Sequence, residues 1–344
     1  MKKRIACLIA VMLVAVFFPM GNSGTMAVGA ENHRFSIVAT TFPSYDWVRQ
    51  ILGEHLADVE LTLLLDNGID LHSFQPSVED MAKIANCDLF VYVGGESDRW
   101  VSGVLQTGSN PNRIVISLLE ALGDGAKTEE IVEGMEADDH DHDDYHDHDE
   151  DDHREDAHGH DDHKEGELDE HVWLSLRNAQ ELCRYIAGKI GEMDSQNAAA
   201  YAANATQYQG ALSALDGEYT KAMDAAAAKT LLFGDRFPFR YLADDYQLSY
   251  YAAFSGCSAE TEASFATIVF LTGKLNELGL HSVMVTESAD QSIAKTVIQN
   301  SAAKNQDILV LNSMQSVTAG DVAGGTTYLS LMESNLEALK NAVK

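Results

Sequence analysis

Ser77-Val78-Glu79-Asp80-Met81-Ala82-Lys83-Ile84-Ala85-Asn86-Cys87-Asp88-Leu89-Phe90-Val91-Tyr92-Val93-Gly94-Gly95 is the stretch on which the fold turns. Its first half reads as a helix. Ser77 can cap it, and Asp80 stands at the capping-box spacing, with an acid one carbon shorter than the usual Glu. Its second half is a short apolar run that stops at Gly94-Gly95, the pattern of a buried strand entering a loop. A capped helix feeding a buried strand is a unit of α/β architecture.

Working outward, the alternation repeats. Residues 35–41 read as a strand that leads through Pro43 into a helical pattern at 45–52. A second apolar run at 59–65 closes on Asp66-Asn67-Gly68, a turn signal. Residues 113–117 form another short strand. Residues 175–227 contain no proline and are rich in Ala, Glu, Gln and Leu, which predicts helix broken at Asp194-Ser195-Gln196-Asn197. The second piece, 198–227, would run about 45 Å at 1.5 Å per residue, long enough to bridge two lobes. Beyond it, strands at 229–233, 248–254, 282–286 and 308–311 alternate with helices at 237–246, 262–278, 292–304 and 327–343. The expectation is an α/β chain of two lobes, each a mostly parallel sheet flanked by helices, joined by one long helix. The implied boundaries are 31–195 for the first lobe, 196–227 for the linking helix and 228–344 for the second lobe.

The chain has 344 residues, 54 Asp+Glu against 23 Lys+Arg, and a net charge of −31. The charge is concentrated. Residues 136–170 hold 19 acids, two bases and eight of the 13 histidines, a balance of −17 in 35 residues. Such a chain repels phosphate backbones, which excludes nucleic acid as a partner. The acidic segment lacks apolar periodicity, so 136–167 is expected to be a disordered loop inserted in the first lobe. Its histidines, His140, His142, His146, His148, His153, His158, His160 and His163, can act as weak auxiliary metal ligands. The acids around them raise the local cation concentration. A charge run that only solubilises the chain would not need eight imidazoles.

Lys2, Lys3 and Arg4 precede an apolar run at 5–18, and Ala27-Val28-Gly29-Ala30 follows. This is the order of a secretory signal, with cleavage expected after Ala30. The run is shorter than the roughly 20 residues that span a bilayer. Cys7 sits at the start of the run rather than its end, so no lipid anchor is evident. The expected location is the periplasm or the outer face of the cytoplasmic membrane. Cys87, Cys183 and Cys257 match no CxxC or zinc-finger spacing; they read as core residues, with one disulfide among them as the alternative.

In parallel α/β sheets, ligands bind at the carboxyl ends of strands. The polar residues at those ends are Asp70 and His72, Asp169 and His171, Asp235, and Glu287 and Asp290. Two imidazoles with carboxylates suit zinc, and also manganese. Asp70 and Asp169 can hold the second ring nitrogens or shape the turns. Phe74 and Trp173 read as packing around the site.

The residues around the two histidines resemble those of the zinc/manganese substrate-binding proteins of bacterial ABC importers. Gly68-Ile69-Asp70-Leu71-His72-Ser73-Phe74-Gln75-Pro76-Ser77 is similar to that family's first ligand motif, and Asp169-Glu170-His171-Val172-Trp173-Leu174-Ser175 to its second. Ser258-Ala259-Glu260-Thr261-Glu262-Ala263-Ser264 resembles a third segment. An acidic His-rich loop before the second motif is typical of the zinc-preferring branch. The resemblance covers about residues 35–343. It implies two lobes that move little, one metal in the cleft between them, and His72 and His171 as ligands. Asp290 falls at the carboxylate position, with Glu287 as the alternative. Leu71 and Glu170 stand where the family carries prolines. Alignment through Tyr241 places Arg236 where the family has a third ligand, His or Glu. Arginine stays protonated and cannot ligate a cation, so the third position falls to Asp235 beside it or to a water.

The function so implied is an exported, monomeric zinc receptor that binds Zn²⁺ in the cleft and presents it to a membrane ABC permease. It is not an enzyme. A manganese receptor of the same type is the alternative. An exported zinc hydrolase is the rival from another class, although neither HExxH nor Gly-x-Ser-x-Gly is present.

Overall fold

The computed structural model describes residues 34–108, 110–136, 167–258 and 262–344. The expected signal at 1–30 lies outside them, and so does the expected acidic loop, with all eight of its histidines, except for its end residues Glu136 and Glu167, whose backbones hydrogen-bond to Ala253 and Glu129.

The first lobe runs β1 (Phe35–Ala39), α1 (Phe42–Leu52), β2 (Val59–Leu63), α2 (Val78–Asn86), β3 (Leu89–Tyr92), α3 (Val101–Thr107), β4 (Ile114–Ser117) and α4 (Leu118–Leu122). Its strands pair in the order β2-β1-β3-β4, all parallel. Two helices follow, α5 (Leu176–Met193) and α6 (Ala198–Asp224). The second lobe comprises β5 (Thr230–Phe237), α7 (Arg240–Tyr246), β6 (Ser249–Ser255), α8 (Phe265–Glu277), β7 (Ser282–Val285), α9 (Ser292–Asn300), β8 (Asp307–Val310), α10 (Ala319–Ala323) and α11 (Tyr328–Ala342). Its order is β6-β5-β7-β8, again parallel. Each lobe's first strand thus lies between its second and third. The chain leaves in opposite directions from it, which opens a crevice at the carboxyl edge of each sheet.

Local chemistry explains the element ends. The Ser77–Asp80 capping box forms in both directions, so the shorter acid suffices. Helix α1 starts earlier than expected: Thr41 is its extended N-cap and Pro43 sits in the first turn, where a missing N–H costs nothing. Helix α7 starts later, at Arg240. Phe237 still pairs with Ser255 in the sheet, and Pro238 disfavours a helical conformation at the residue before it. Strand β5 runs on past Phe233, where the sequence reading ended it. A bulge between Phe233 and Arg236 inserts one residue against β6 and carries Asp235 and Arg236 within the strand. Gly234 permits this because α9 lies on it. A Cβ there would stand 2.7 Å from the Ala294 backbone.

Helix α6 buries Tyr201, Ala205, Tyr208, Leu212, Leu215, Tyr219 and Met223, one stripe at three- to four-residue spacing. It packs on α1 and α5 of the first lobe and on α7 and α11 of the second. The lobes share one apolar core, in which Trp47 meets Tyr328 edge-on. Polar ties also cross between them: Asp46 accepts the Tyr328 N–H at 2.9 Å, and the Tyr328 hydroxyl donates to the Trp173 carbonyl at 2.6 Å. Cys87 and Cys183 are buried free thiols, and the disulfide alternative does not form.

Candidate metal centre

Two short turns present the histidines. After β2 the chain reverses at Gly68, whose φ of +79° favours glycine. Asp70 then caps a single 3₁₀ turn, Leu71–Ser73, by accepting the His72 N–H at 3.0 Å. Asp169 does the same for the His171 N–H at 2.8 Å, and the same oxygen accepts from the ring Nδ1 at 2.9 Å. Asp169 therefore both shapes the turn and fixes the ring, whereas Asp70 shapes its turn with one oxygen and turns the other to Arg236. The second nitrogen of His72 turns instead to Ser97 Oγ at 2.8 Å, with Glu170 Oε2 at 3.5 Å.

These restraints leave the two Nε2 atoms facing each other 3.1 Å apart, with ring centroids separated by 5.1 Å. His171 is fully buried and packs edge-on against Trp173. Burial followed by the facing His171 pushes the His72 pKa down to about 3. Burial also pulls His171 down, but the carboxylate of Asp169 outweighs it and the net shift is upward. The directions fit one proton held between the rings: His171 carries it and donates to His72 Nε2. A cation bound by two nitrogens would take the place of that proton.

The remaining candidates are dispersed around this pair. A cleft of about 430 Å³ opens on His72 and is lined also by Asp70, Asp235, Arg236, Phe254 and Asp290. Asp290 accepts the Ser292 N–H at 2.7 Å, ahead of α9, and this bond holds its pKa low. Asp235 Oδ2 accepts from the Thr286 N–H at 2.8 Å and its hydroxyl at 2.5 Å. Glu287 turns toward the loop after β8, where it accepts from Ser313 N at 2.7 Å, Ser313 Oγ at 2.9 Å and Ser316 Oγ at 3.1 Å. The Ser313 carbonyl in turn accepts from Trp173 Nε1 at 2.8 Å, which links Glu287 to the wall behind His171. Arg236 pairs with Asp70 at 2.7 Å and donates to the Ser258 carbonyl at 3.2 Å, a clamp between the lobes.

Three nearby residues escaped the sequence reading. Ser97 and Glu170 hold the back of His72. Glu170 is buried, which pushes its pKa up, and it accepts the Ser97 N–H at 2.8 Å. The third is Cys257, read as a core residue. Its sulfur and one ring nitrogen from each histidine lie within 4.8 Å of one another. Burial, then the charges of Glu129, Asp169 and Glu170, raise its pKa and keep it a thiol. The signal was available: Cys257 lies just beyond the carboxyl end of β6, the same rule that selected the other candidates.

Two parallel sheets joined through a long helix, with an imidazole pair at a cleft between them, define a two-lobed α/β protein with a nitrogen-donor site of the kind that holds transition metals. The chain belongs to the family of the zinc-uptake complex component A, periplasmic (ZnuA), whose model matches residues 37–342. It is 31% identical over 338 residues to the zinc-binding lipoprotein AdcA of Streptococcus pneumoniae, covering 98% of this chain and 60% of AdcA. The chain thus spans about 60% of the length of the streptococcal relatives it matches. It is 28% identical over 324 residues to the high-affinity zinc uptake system protein ZnuA of Bacillus subtilis, covering 94% of this chain and 92% of that protein. The crystal structure of the Zn(II)-bound ZnuA-like domain of S. pneumoniae AdcA superimposes with a TM-score of 0.66 at 28% identity, over 90% of this chain and 99% of that one.

Proposed function

We propose that this protein is an exported zinc receptor that captures Zn²⁺ in the interlobe cleft and delivers it to an ABC permease. The observation that carries the reading is the imidazole pair of buried His171 and partly buried His72, with Nε2 atoms 3.1 Å apart. Zn–N bonds of about 2.0–2.1 Å at a tetrahedral angle separate two ligand nitrogens by about 3.3 Å, so the pair is close to preset for one ion. The names of AdcA and ZnuA support zinc as the cargo. His72 and His171 are the proposed nitrogen ligands. Asp290, which lines the cleft with His72, is the proposed oxygen donor, with Asp235 as its alternative. Glu287 is proposed to position the segment behind Trp173. The protein acts by binding rather than catalysis, as a monomer that recognises no nucleic acid. The eight histidines of the acidic segment are proposed to collect cations at auxiliary sites, where the surrounding acids raise the local cation concentration.

Zinc titration by calorimetry tests the reading. The full chain should show one tight site, and a variant lacking residues 137–166 should keep it. His72→Ala and His171→Ala should each weaken it by more than about 100-fold, beyond the 10–100-fold cost of removing an outer-shell partner. Unchanged tight binding in both histidine variants would overturn it.

A further inference from the structure

We propose that the sulfur of Cys257 is the third protein ligand of the cation held by His72 and His171, and that it selects Zn²⁺ over Mn²⁺. This rests on the reading of the imidazole pair as the metal site. The three donor atoms already lie within 4.8 Å of one another. With Zn–N near 2.0–2.1 Å and Zn–S near 2.3 Å, tetrahedral ligand atoms stand about 3.3–3.6 Å apart, so a contraction of about 1 Å completes the set.

The position of Cys257 is built rather than incidental. Gly256 lets the chain pass against the His171 ring: a Cβ there would stand 3.2 Å from His171 Cε1 and 2.9 Å from the Phe237 carbonyl. Glu129 Oε1 accepts the Cys257 N–H at 2.9 Å. On the other side, Arg236 grips the Ser258 carbonyl and ties it to Asp70, two residues from His72. A residue with no ligand capacity at 236 thus holds the 256–258 turn beside the histidines, and the third donor comes from the end of β6 instead of β5.

On binding, the thiol releases its proton to solvent and the thiolate gives an electron pair to the metal. Its −1 charge partly neutralises the dication in a buried place, which neutral imidazoles alone do not do. Thiolate ligands favour zinc over manganese, whose preferred partners are carboxylate, carbonyl and water oxygens. A thiolate beside the two imidazoles and the carboxylate therefore favours zinc over manganese by donor chemistry, not by cleft size.

The test uses the full chain loaded with one equivalent of Co²⁺ as a spectroscopic substitute for zinc. The expected result is a sulfur-to-cobalt charge-transfer absorption in the near ultraviolet. Cys257→Ser and Cys257→Ala should abolish it, while the visible cobalt bands of the imidazole-held ion remain. Zinc affinity of Cys257→Ala should fall at least about 10-fold, and Mn²⁺ affinity should change by less than about twofold. Cys257→Ser serves where the alanine variant folds poorly. Imidazoles of the acidic segment contribute no sulfur band. Absence of the band in the unaltered chain, its survival in Cys257→Ser, or unchanged zinc affinity would overturn the proposal. Failure of the underlying reading looks different: His72→Ala and His171→Ala would then leave both zinc affinity and the cobalt spectrum unaltered.

Discussion

At the scale of single residues, the site depends on how its two histidines divide one proton. They look equivalent in the sequence, each two residues after an aspartate. In the structure Asp169 holds a ring nitrogen of His171, whereas Asp70 is drawn away to Arg236 and leaves His72 to Ser97. The charges around the pair are Asp70, Asp169, Glu170 and Arg236. His171, raised above 6.5, stabilises the metal-free fold fully below that pH and loses its contribution as pH rises through its folded pKa. His72, lowered to about 3, does the opposite: its contribution is present above 6.5 and is lost as pH falls toward 3. Nitrogen-15 NMR of the metal-free chain should show His171 doubly protonated at pH 6.5 and His72 neutral down to about pH 3. Zinc competes with the His171 proton, so imidazole protonation should weaken binding by about tenfold per pH unit below that pKa. Two histidines titrating together near 6.5 would contradict this division. The motif showed the two histidines, but not their inequality or their proximity to Cys257. Ser97 and Cys257 reach the pair from separate turns, and Glu170, although it precedes His171, reaches His72 only in the packed fold.

At the scale of elements, the alternation of short apolar runs with capped helical stretches made nearly every strand readable, because the central strands β1, β3, β5 and β7 are largely buried and the apolar runs are bounded by turn chemistry. The short helices α3, α4 and α10 were not legible; five to seven residues are too few to show a period. The extension of β5 was not legible either. Gly234-Asp235 looks like the end of a strand until α9 is seen lying on Gly234. That contact predicts the outcome of one substitution. Gly234→Ala must push α9 off the sheet or bend β5, a cost of about 1–3 kcal/mol typical of overpacking. Urea unfolding of the metal-free protein should show the midpoint falling, with little change in slope. An unchanged midpoint would mean that α9 does not bear on β5 in solution.

At the scale of the whole molecule, the shared core and α6 hold the two sheets so that their carboxyl edges face one cleft. Among the described residues, no helix is long and apolar enough to cross a membrane. The net charge of −31 suits a protein that gathers cations, and more than half of it is carried by residues 136–170, a stretch that ends at Asp169 and Glu170 beside the imidazole pair. The charge was visible at once in the composition; the site was visible only through strand ends and motif. The central claim is that the cation lies between His72 and His171. A crystal of the full chain grown with one equivalent of zinc, with anomalous scattering measured at the zinc edge, addresses it most directly. The account predicts one dominant peak about 2.0–2.1 Å from both Nε2 atoms. A dominant peak elsewhere, with the two imidazoles still hydrogen-bonded to each other, would contradict it.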